Sequence, residues 1–183
     1  MPADGLASET SVLPVVPNAY TIYDLSKLLG EAMCLAHPRD TVRVARVANV
    51  LGAGQDQHTF FGSVLSEARR KGRVTIEEAP GCLKDYIPIE ALVPLLERIA
   101  VGGRERIYNV ASGTQMAHAQ IAEKLGAATG AKIEFAKQGP LRSFPRIDVG
   151  RIQSEFDFKS PSTQSILDYI GNLATQEERQ CLP

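Results

Sequence analysis

The sequence is poor in cysteine and histidine, carries no strong charge of either sign and has no long apolar run. Its three cysteines, Cys34, Cys82 and Cys181, are odd in number, far apart and without a C-x-x-C pair. That argues against a disulfide framework and fits free thiols in a reducing compartment. Its three histidines, His37, His58 and His118, show neither H-x-x-x-H nor H-E-x-x-H spacing, so no zinc site is expected and no metal ligands are assigned. A net charge of −1 over 183 residues leaves no basic field for nucleic acid or anionic lipid. The locally basic run "ARRKGR" (68–73) reads as the solvated end of a helix, because no aromatic platform for base stacking lies beside it. No apolar stretch approaches the ~20 residues of a membrane span. The N-terminal segment lacks the positive and apolar regions of a secretory signal. A soluble cytoplasmic protein, with neither nucleic acid nor membrane as partner, is the expectation.

What is present is ordinary globular composition, 44% hydrophobic and 22% charged, in a chain long enough for one domain with a core or for part of a larger one. Residues 1–19 read as loop. Tyr20 to Ala36 reads as a helix apolar on more than one face, hence buried or sandwiched, and His37-Pro38 ends it. Valine-rich Thr41 to Leu51 reads as a mostly buried parallel strand, followed by the loop "GAGQDQ". Phe60 to Lys71 reads as helix, "RVTIEE" as a strand, "APGC" as a turn and "KDYIPI" as a strand. Glu90 to Ala100 reads as helix, weakened by Pro94 unless that residue sits near the first turn. "ERIYNVAS" reads as a strand, Thr114 to Thr129 as a helix closed by Gly130, and "AKIEFA" as a strand. A loop "KQGPLRSFPR" precedes helices at 148–155 and 163–174. Strands alternating with helices predict an α/β fold with parallel strands.

The stretch "YDLSKLLGE" (23–31) carries the chemistry. Residues i and i+4 share a helix face, so Tyr23 and Lys27 point the same way with Ser26 near them. A free tyrosine has a pKa of about 10. A neighbouring ammonium favours the phenolate and brings it toward working pH, and the lysine can also donate to a ribose hydroxyl. The spacing is common in helices, and a surface lysine beside a half-buried tyrosine is the alternative reading.

The segment resembles the Y-x-x-S-K-x-x-x-E of extended short-chain dehydrogenase/reductases, the NAD-dependent nucleotide-sugar epimerase/dehydratase family. Later segments follow in the family's order. "RVANVLGAG" (46–54) resembles R-x-x-N-V-Y-G-P-G, "CLKDYIPIEAL" (82–92) resembles R-D-Y/F-I-x-V-x-D, and "ERIYNVASG" (105–113) resembles the strand ending in Y-N-V-G-S-G. "IDVGRIQSEFDFKSPSTQSILDYI" (147–170) resembles the family's closing segment. The resemblance implies roles residue by residue. Tyr23 would be the catalytic acid/base and Lys27 its partner, both touching the cofactor, NAD or NADP, with Ala48 lying against it. Asn49 would contact the nucleotide-sugar substrate, the alternative being a residue that caps the strand end. Lys84 stands where the family has an arginine for the substrate's pyrophosphate and offers a point charge rather than a fork. Lys137 and Arg142 lie where a phosphate-binding arginine is often found, the alternative being surface charge. Glu90 replaces the family's aspartate and is expected to be structural.

Two family features have no counterpart. One is the opening strand with its G-x-x-G-x-x-G turn, where glycines let backbone approach the pyrophosphate at a helix N-terminus. The "GAG" at 52–54 lacks the third glycine and an acidic residue at a following strand end, and reads instead as the sugar-side loop. The other is the catalytic Ser/Thr, which the family places farther upstream. Ser8, Thr10 and Ser11 are not assigned to that role. The expected architecture is thus the C-terminal portion of a Rossmann-like parallel sheet with a small α/β substrate-binding subdomain, without the N-terminal glycine-turn half. Its expected divisions are a loop lead-in (1–19), the catalytic helix and a late strand (20–58), and a mainly substrate-binding part (59–183) with returning Rossmann elements near 84–112. Exposed apolar sheet faces and weak binding of NAD by the isolated chain are expected, with a homodimer formed through the Tyr20–Ala36 helix. The expected activity is epimerisation, dehydration or reduction of a nucleotide sugar. The alternative is a non-catalytic module that binds sugar nucleotide or dimerises.

Overall fold

A computed structural model describes residues 5–19, 21–142 and 144–176. Strands and helices alternate along it as β1 (Leu6–Ala7), α1 (Ile22–Ala36), β2 (Val44–Val47), β3 (Asn49–Leu51), α2 (Phe60–Lys71), β4 (Arg73–Ile76), β5 (Leu83–Pro88), α3 (Ile89–Gly102), β6 (Ile107–Val110), β7 (Gln115–Ala117), α4 (His118–Thr129), β8 (Lys132–Phe135), β9 (Arg146–Ile147), α5 (Gly150–Phe156) and α6 (Thr163–Thr175). The pairs β1–β9, β2–β6, β3–β5 and β4–β8 are parallel, as crossover helices require. The pair β5–β7 is antiparallel and departs from the all-parallel expectation.

Two apolar cores flank β5. Successive side chains of a strand point to opposite faces, and Tyr86 and Ile87 obey that rule. Tyr86 enters a core with Phe61 and Leu65 of α2, Ile121 and Leu125 of α4, and Ile166 and Ile170 of α6. Ile87 enters a second core with Leu95 and Ile99 of α3, Tyr108 and Val110 of β6, and Ile152 and Phe156 of α5. The helices on the first core are closed by local chemistry. Thr59 caps α2 by accepting from Gly62 N at 3.1 Å, and Ser162 caps α6 by accepting from Ser165 N at 3.1 Å. Gly72 and Gly130 end α2 and α4 in the left-handed conformation at φ 63° and 72°.

The valine-rich run is one extended path with two partners. Its first half, β2, pairs with β6, and its second half, β3, pairs with β5. Ala48 marks the change, its N–H donating to Val110 O at 2.9 Å. The strand is half-buried rather than mostly buried, with Val47 40% exposed.

Several other expectations are corrected. Residues 5–19 are not all loop, because Leu6 and Ala7 pair with Arg146 and Ile147. The helix expected from Thr114 begins at His118, since residues 115–117 pair with 83–85 as β7. Pro94 lies in the second turn of α3, beyond the first. Arg69 is not merely solvated: its Nη2 donates to Leu173 O at 2.8 Å and Gln176 O at 2.6 Å, meeting the carbonyls at the end of α6. Most consequential is α1. It starts at Ile22, Tyr20 lying outside the described residues, and none of its residues is buried. It packs against β2 on one side, and its other apolar faces, including Leu29 and Met33, stand exposed. Among the described residues, no helix is long and apolar enough to cross a membrane. Cys34 and Cys82 are free thiols, and Cys181 lies outside the described residues.

Candidate active site

Helix α1 is fixed from below by two arginines. Arg46 on β2 forks onto Glu31, Nε to Oε2 at 3.0 Å and Nη2 to Oε1 at 2.5 Å, while its Nη1 donates to Glu9 O at 3.1 Å. Arg106 donates through Nη2 to Cys34 O at 2.8 Å and through Nε to Val42 O at 2.7 Å, so a cation closes the negative end of the helix. Both anchors grip the half of α1 that follows Gly30. The half bearing Tyr23 and Lys27 projects beyond them.

There the structure brings the two sequence candidates together. Lys27 Nζ lies 5.0 Å from the centroid of the Tyr23 ring, and Tyr23 is 68% exposed. An ammonium over an aromatic ring is attracted by the electron-rich face of that ring, which holds the two side chains together. Ser26 is turned back, its Oγ donating to Tyr23 O at 2.7 Å, which holds the helix backbone at the tyrosine.

Ala48 and Asn49 sit at the strand's change of partner. Ala48 packs against the second core. Asn49 Nδ2 donates to Asp85 O at 2.8 Å, tying β3 to β5 one residue beyond Lys84. Asp85 itself is buried. Its Oδ1 accepts from Ser112 N at 2.9 Å and Ser112 Oγ at 2.8 Å. Burial raises its carboxyl above the ordinary value, against the opposing effect of the Ser112 hydrogen bonds.

A second cluster gathers around Glu78, in the link between β4 and β5. Its Oε2 lies 3.4 Å from Lys84 Nζ and 3.3 Å from His118 Nδ1, and its Oε1 lies 3.3 Å from Arg142 Nε. Lys84 and Arg142, 58 positions apart in sequence, therefore meet on one carboxylate. Lys84 Nζ also lies 4.9 Å from the Phe60 ring centroid. His118 stacks on the same Phe60 ring, the two centroids 3.8 Å apart and the planes 13° apart. His118 is fully buried, and burial, reinforced by Lys84, pushes its imidazole down to about 4. Lys137 stands exposed in the loop after β8 and is not drawn into this cluster's ion pairs. Glu90, expected to be structural, shares a hydrogen bond with Tyr169 of α6, which together with burial holds that phenol protonated.

Sequence reasoning missed Glu78, Phe60, Cys82 and His118 as members of a site. His118 and Glu78 lie 40 positions apart, and no local spacing joins them. Only the antiparallel pairing of β7 with β5 brings the start of α4 over the β4–β5 link.

No family model matches the sequence, and no curated protein matches it. Solved structures do match its fold. A dTDP-glucose 4,6-dehydratase from Bacillus anthracis, in complex with NAD, superposes at TM-score 0.74 and 18% identity over 91% of this chain and 55% of its own. RMD from Pseudomonas aeruginosa, complexed with NADPH, gives TM-score 0.69 and 20% identity over 91% and 59%. UDP-glucuronic acid 4-epimerase from Bacillus cereus, with UDP-glucuronic acid and NAD, gives TM-score 0.67 and 16% identity over 93% and 60%. This chain thus spans little more than half the length of these proteins, and its fold is that of the C-terminal part of such sugar-nucleotide dehydratase and epimerase chains.

Proposed function

We propose that this chain carries the acid/base pair and the substrate-facing surface of an NAD(P)-dependent enzyme that epimerises, dehydrates or reduces a nucleotide sugar. The observation that carries the reading is the exposed Tyr23–Lys27 pair on α1, within a fold otherwise seen in proteins solved with NAD or NADPH. The nicotinamide-ribose end of a dinucleotide fits that pair, because Lys27 can donate to a ribose hydroxyl beside the tyrosine. The pyrophosphate end does not find its cradle at Gly52–Gly54. There the first turn of α2 is closed by its own Thr59, and Gly52 N is taken by Gln55 Oε1 at 3.3 Å.

In this reading Tyr23 takes the proton of a sugar hydroxyl and returns it when the resulting ketone is reduced. The bound cofactor supplies the hydride acceptor. Lys27 holds its ammonium 5.0 Å from the Tyr23 ring centroid, and proton transfer by a positioned general base is worth about 10²- to 10⁴-fold in rate. Ala48 lines the cofactor side of the cleft, Asn49 orients the sugar nucleotide, and Lys84, Arg142 and Lys137 receive its phosphates. Lys84 and Arg142 share Glu78 and exchange that carboxylate for a diphosphate when substrate arrives. A second copy of the chain would dock on the exposed Leu29 and Met33 face of α1.

A non-catalytic reading, as a sugar-nucleotide-binding or dimerisation module, draws on the same exposure of α1 and on the closed turn at Gly52–Gly54. The experiment that separates the two is ligand-observed NMR of the protein with NADH, UDP-sugars and dTDP-sugars. Binding of both classes supports the enzyme. Sugar-nucleotide binding without NADH supports the module, and binding of neither contradicts both.

A further inference from the structure

We propose that Glu78, Cys82 and His118 form a binding site for a divalent transition-metal ion of the zinc class. One carboxylate oxygen, the Cys82 sulfur and a His118 ring nitrogen all lie within 4.8 Å of one another. His118 is fully buried, and neither ring nitrogen has a hydrogen-bond partner. A buried imidazole left unsatisfied on both sides costs free energy unless a ligand completes it.

The three donors are held by backbone rather than by chance. A turn returns Cys82 N to Ala79 O at 3.1 Å, and this folds Cys82 back beside Glu78. His118 N donates to Cys82 O at 2.9 Å, which locks the start of α4 onto the same turn. The Phe60 ring, 3.8 Å away and nearly parallel, fixes the imidazole plane. Glu78 Oε2 and His118 Nδ1 are already 3.3 Å apart. Tetrahedral ligation at ordinary zinc bond lengths sets donor atoms roughly 3.5 Å apart, so a set within 4.8 Å closes by at most roughly 1.3 Å.

The surroundings choose the ion. Lys84 and Arg142 compete for Glu78, so a hard cation held by carboxylate alone gains little there. An ion that also bonds thiolate and imidazole gains two further ligands, which selects zinc or cobalt over magnesium or calcium. Arg142 N donates to Cys82 Sγ at 3.2 Å, the hydrogen bond that a ligating thiolate receives from its outer shell. Cys82 also donates to Pro140 O at 3.4 Å as a thiol. Metal binding exchanges that S–H bond for a sulfur–metal bond and releases the proton to solvent. With three protein ligands, a fourth position stays open to water or substrate. The sequence carried no sign of this site, since its ligands follow no metal-binding spacing. The proposal stands apart from the Tyr23–Lys27 reading and does not need it.

The test is titration of the chelator-stripped protein with Co²⁺, followed by visible absorbance and proton release, in wild type and in Cys82→Ala, Glu78→Gln and Cys34→Ala. The expected result is one Co²⁺ per chain, a sulfur-to-cobalt charge-transfer band and one proton released. The band is lost in Cys82→Ala and kept in Cys34→Ala, and Glu78→Gln weakens binding about a hundredfold. Circular dichroism checks that each variant folds. If Cys82→Ala does not, the wild-type and Glu78→Gln titrations still decide. Failure of the wild type to bind one Co²⁺ with a thiolate band overturns the proposal, as does unchanged affinity in Glu78→Gln.

Discussion

Arg46 and Glu31 meet as a two-pronged pair, Nε to Oε2 at 3.0 Å and Nη2 to Oε1 at 2.5 Å. Glu31 closes the segment that holds Tyr23 and Lys27, and Arg46 lies on β2, the strand that leads to Ala48 and Asn49. One fork therefore sets the helix of the acid/base pair against the strand that borders the cleft. Replacing Arg46 by Lys keeps the charge and loses the fork. The expected cost is about 1–2 kcal/mol of stability. Hydrogen exchange should quicken across Ile22–Ala36 and stay unchanged in α4. Equal exchange in both proteins would contradict this account of how α1 is held.

Gly62 sits in the first turn of α2, where a Cβ would stand 2.1 Å from Asp56 O. That oxygen belongs to the backbone and cannot swing aside. Gly62→Ala should therefore destabilise the protein by about 3 kcal/mol, seen as a lowered melting temperature. Gly30→Ala, where a Cβ meets nothing within 4 Å, should stabilise α1 by a few tenths to about 1 kcal/mol.

Asp85 gives stability a pH dependence. Burial raises its folded-state pKa above 3.8, so the folded chain holds the proton more tightly than the unfolded chain. Its contribution is full below 3.8 and is lost as pH rises through the folded value. Asp85→Asn should remove that fall. Denaturant melts across the acid range check it: the variant's curve should be flatter than the wild type's, and an identical pH dependence would contradict the assignment.

Lys84 and Arg142 share Glu78. If they receive a diphosphate, Lys84→Met should raise the KM for the nucleotide sugar about tenfold, the worth of one charge-assisted contact, while kcat changes less. Steady-state kinetics of the natural full-length protein test it, and an unchanged KM would remove Lys84 from the substrate site.

Much of the fold was legible because its signals are local. Helix α2 runs over Phe60–Lys71, the range read from the sequence, and the short strands at 73–76, 83–88 and 107–110 fall where valine, isoleucine and tyrosine cluster. What failed is tertiary. The apolar faces of α1 predicted burial, yet periodicity reports what a helix would bury and not whether a neighbour is there to cover it. The helix expected from Thr114 lost its first turn to β7, because pairing with Leu83–Asp85 outweighs the local preference. In the site, Tyr23 and Lys27 were visible because i, i+4 neighbours are fixed by helix geometry. The Glu78 cluster was invisible because it joins the β4–β5 link, the start of α4 and the loop after β8, which no sequence period relates.

The central claim is that Tyr23 moves the proton. The measurement that tests it most directly is turnover of the natural full-length protein and its Tyr23→Phe variant on the nucleotide sugar that binds best, with nicotinamide absorbance and product analysis as readouts. The account predicts that Tyr23→Phe lowers kcat by about 10²- to 10⁴-fold and leaves substrate binding within about twofold, because the hydroxyl removed contributes to the transition state and not to ground-state recognition. Wild-type kcat in Tyr23→Phe would contradict it.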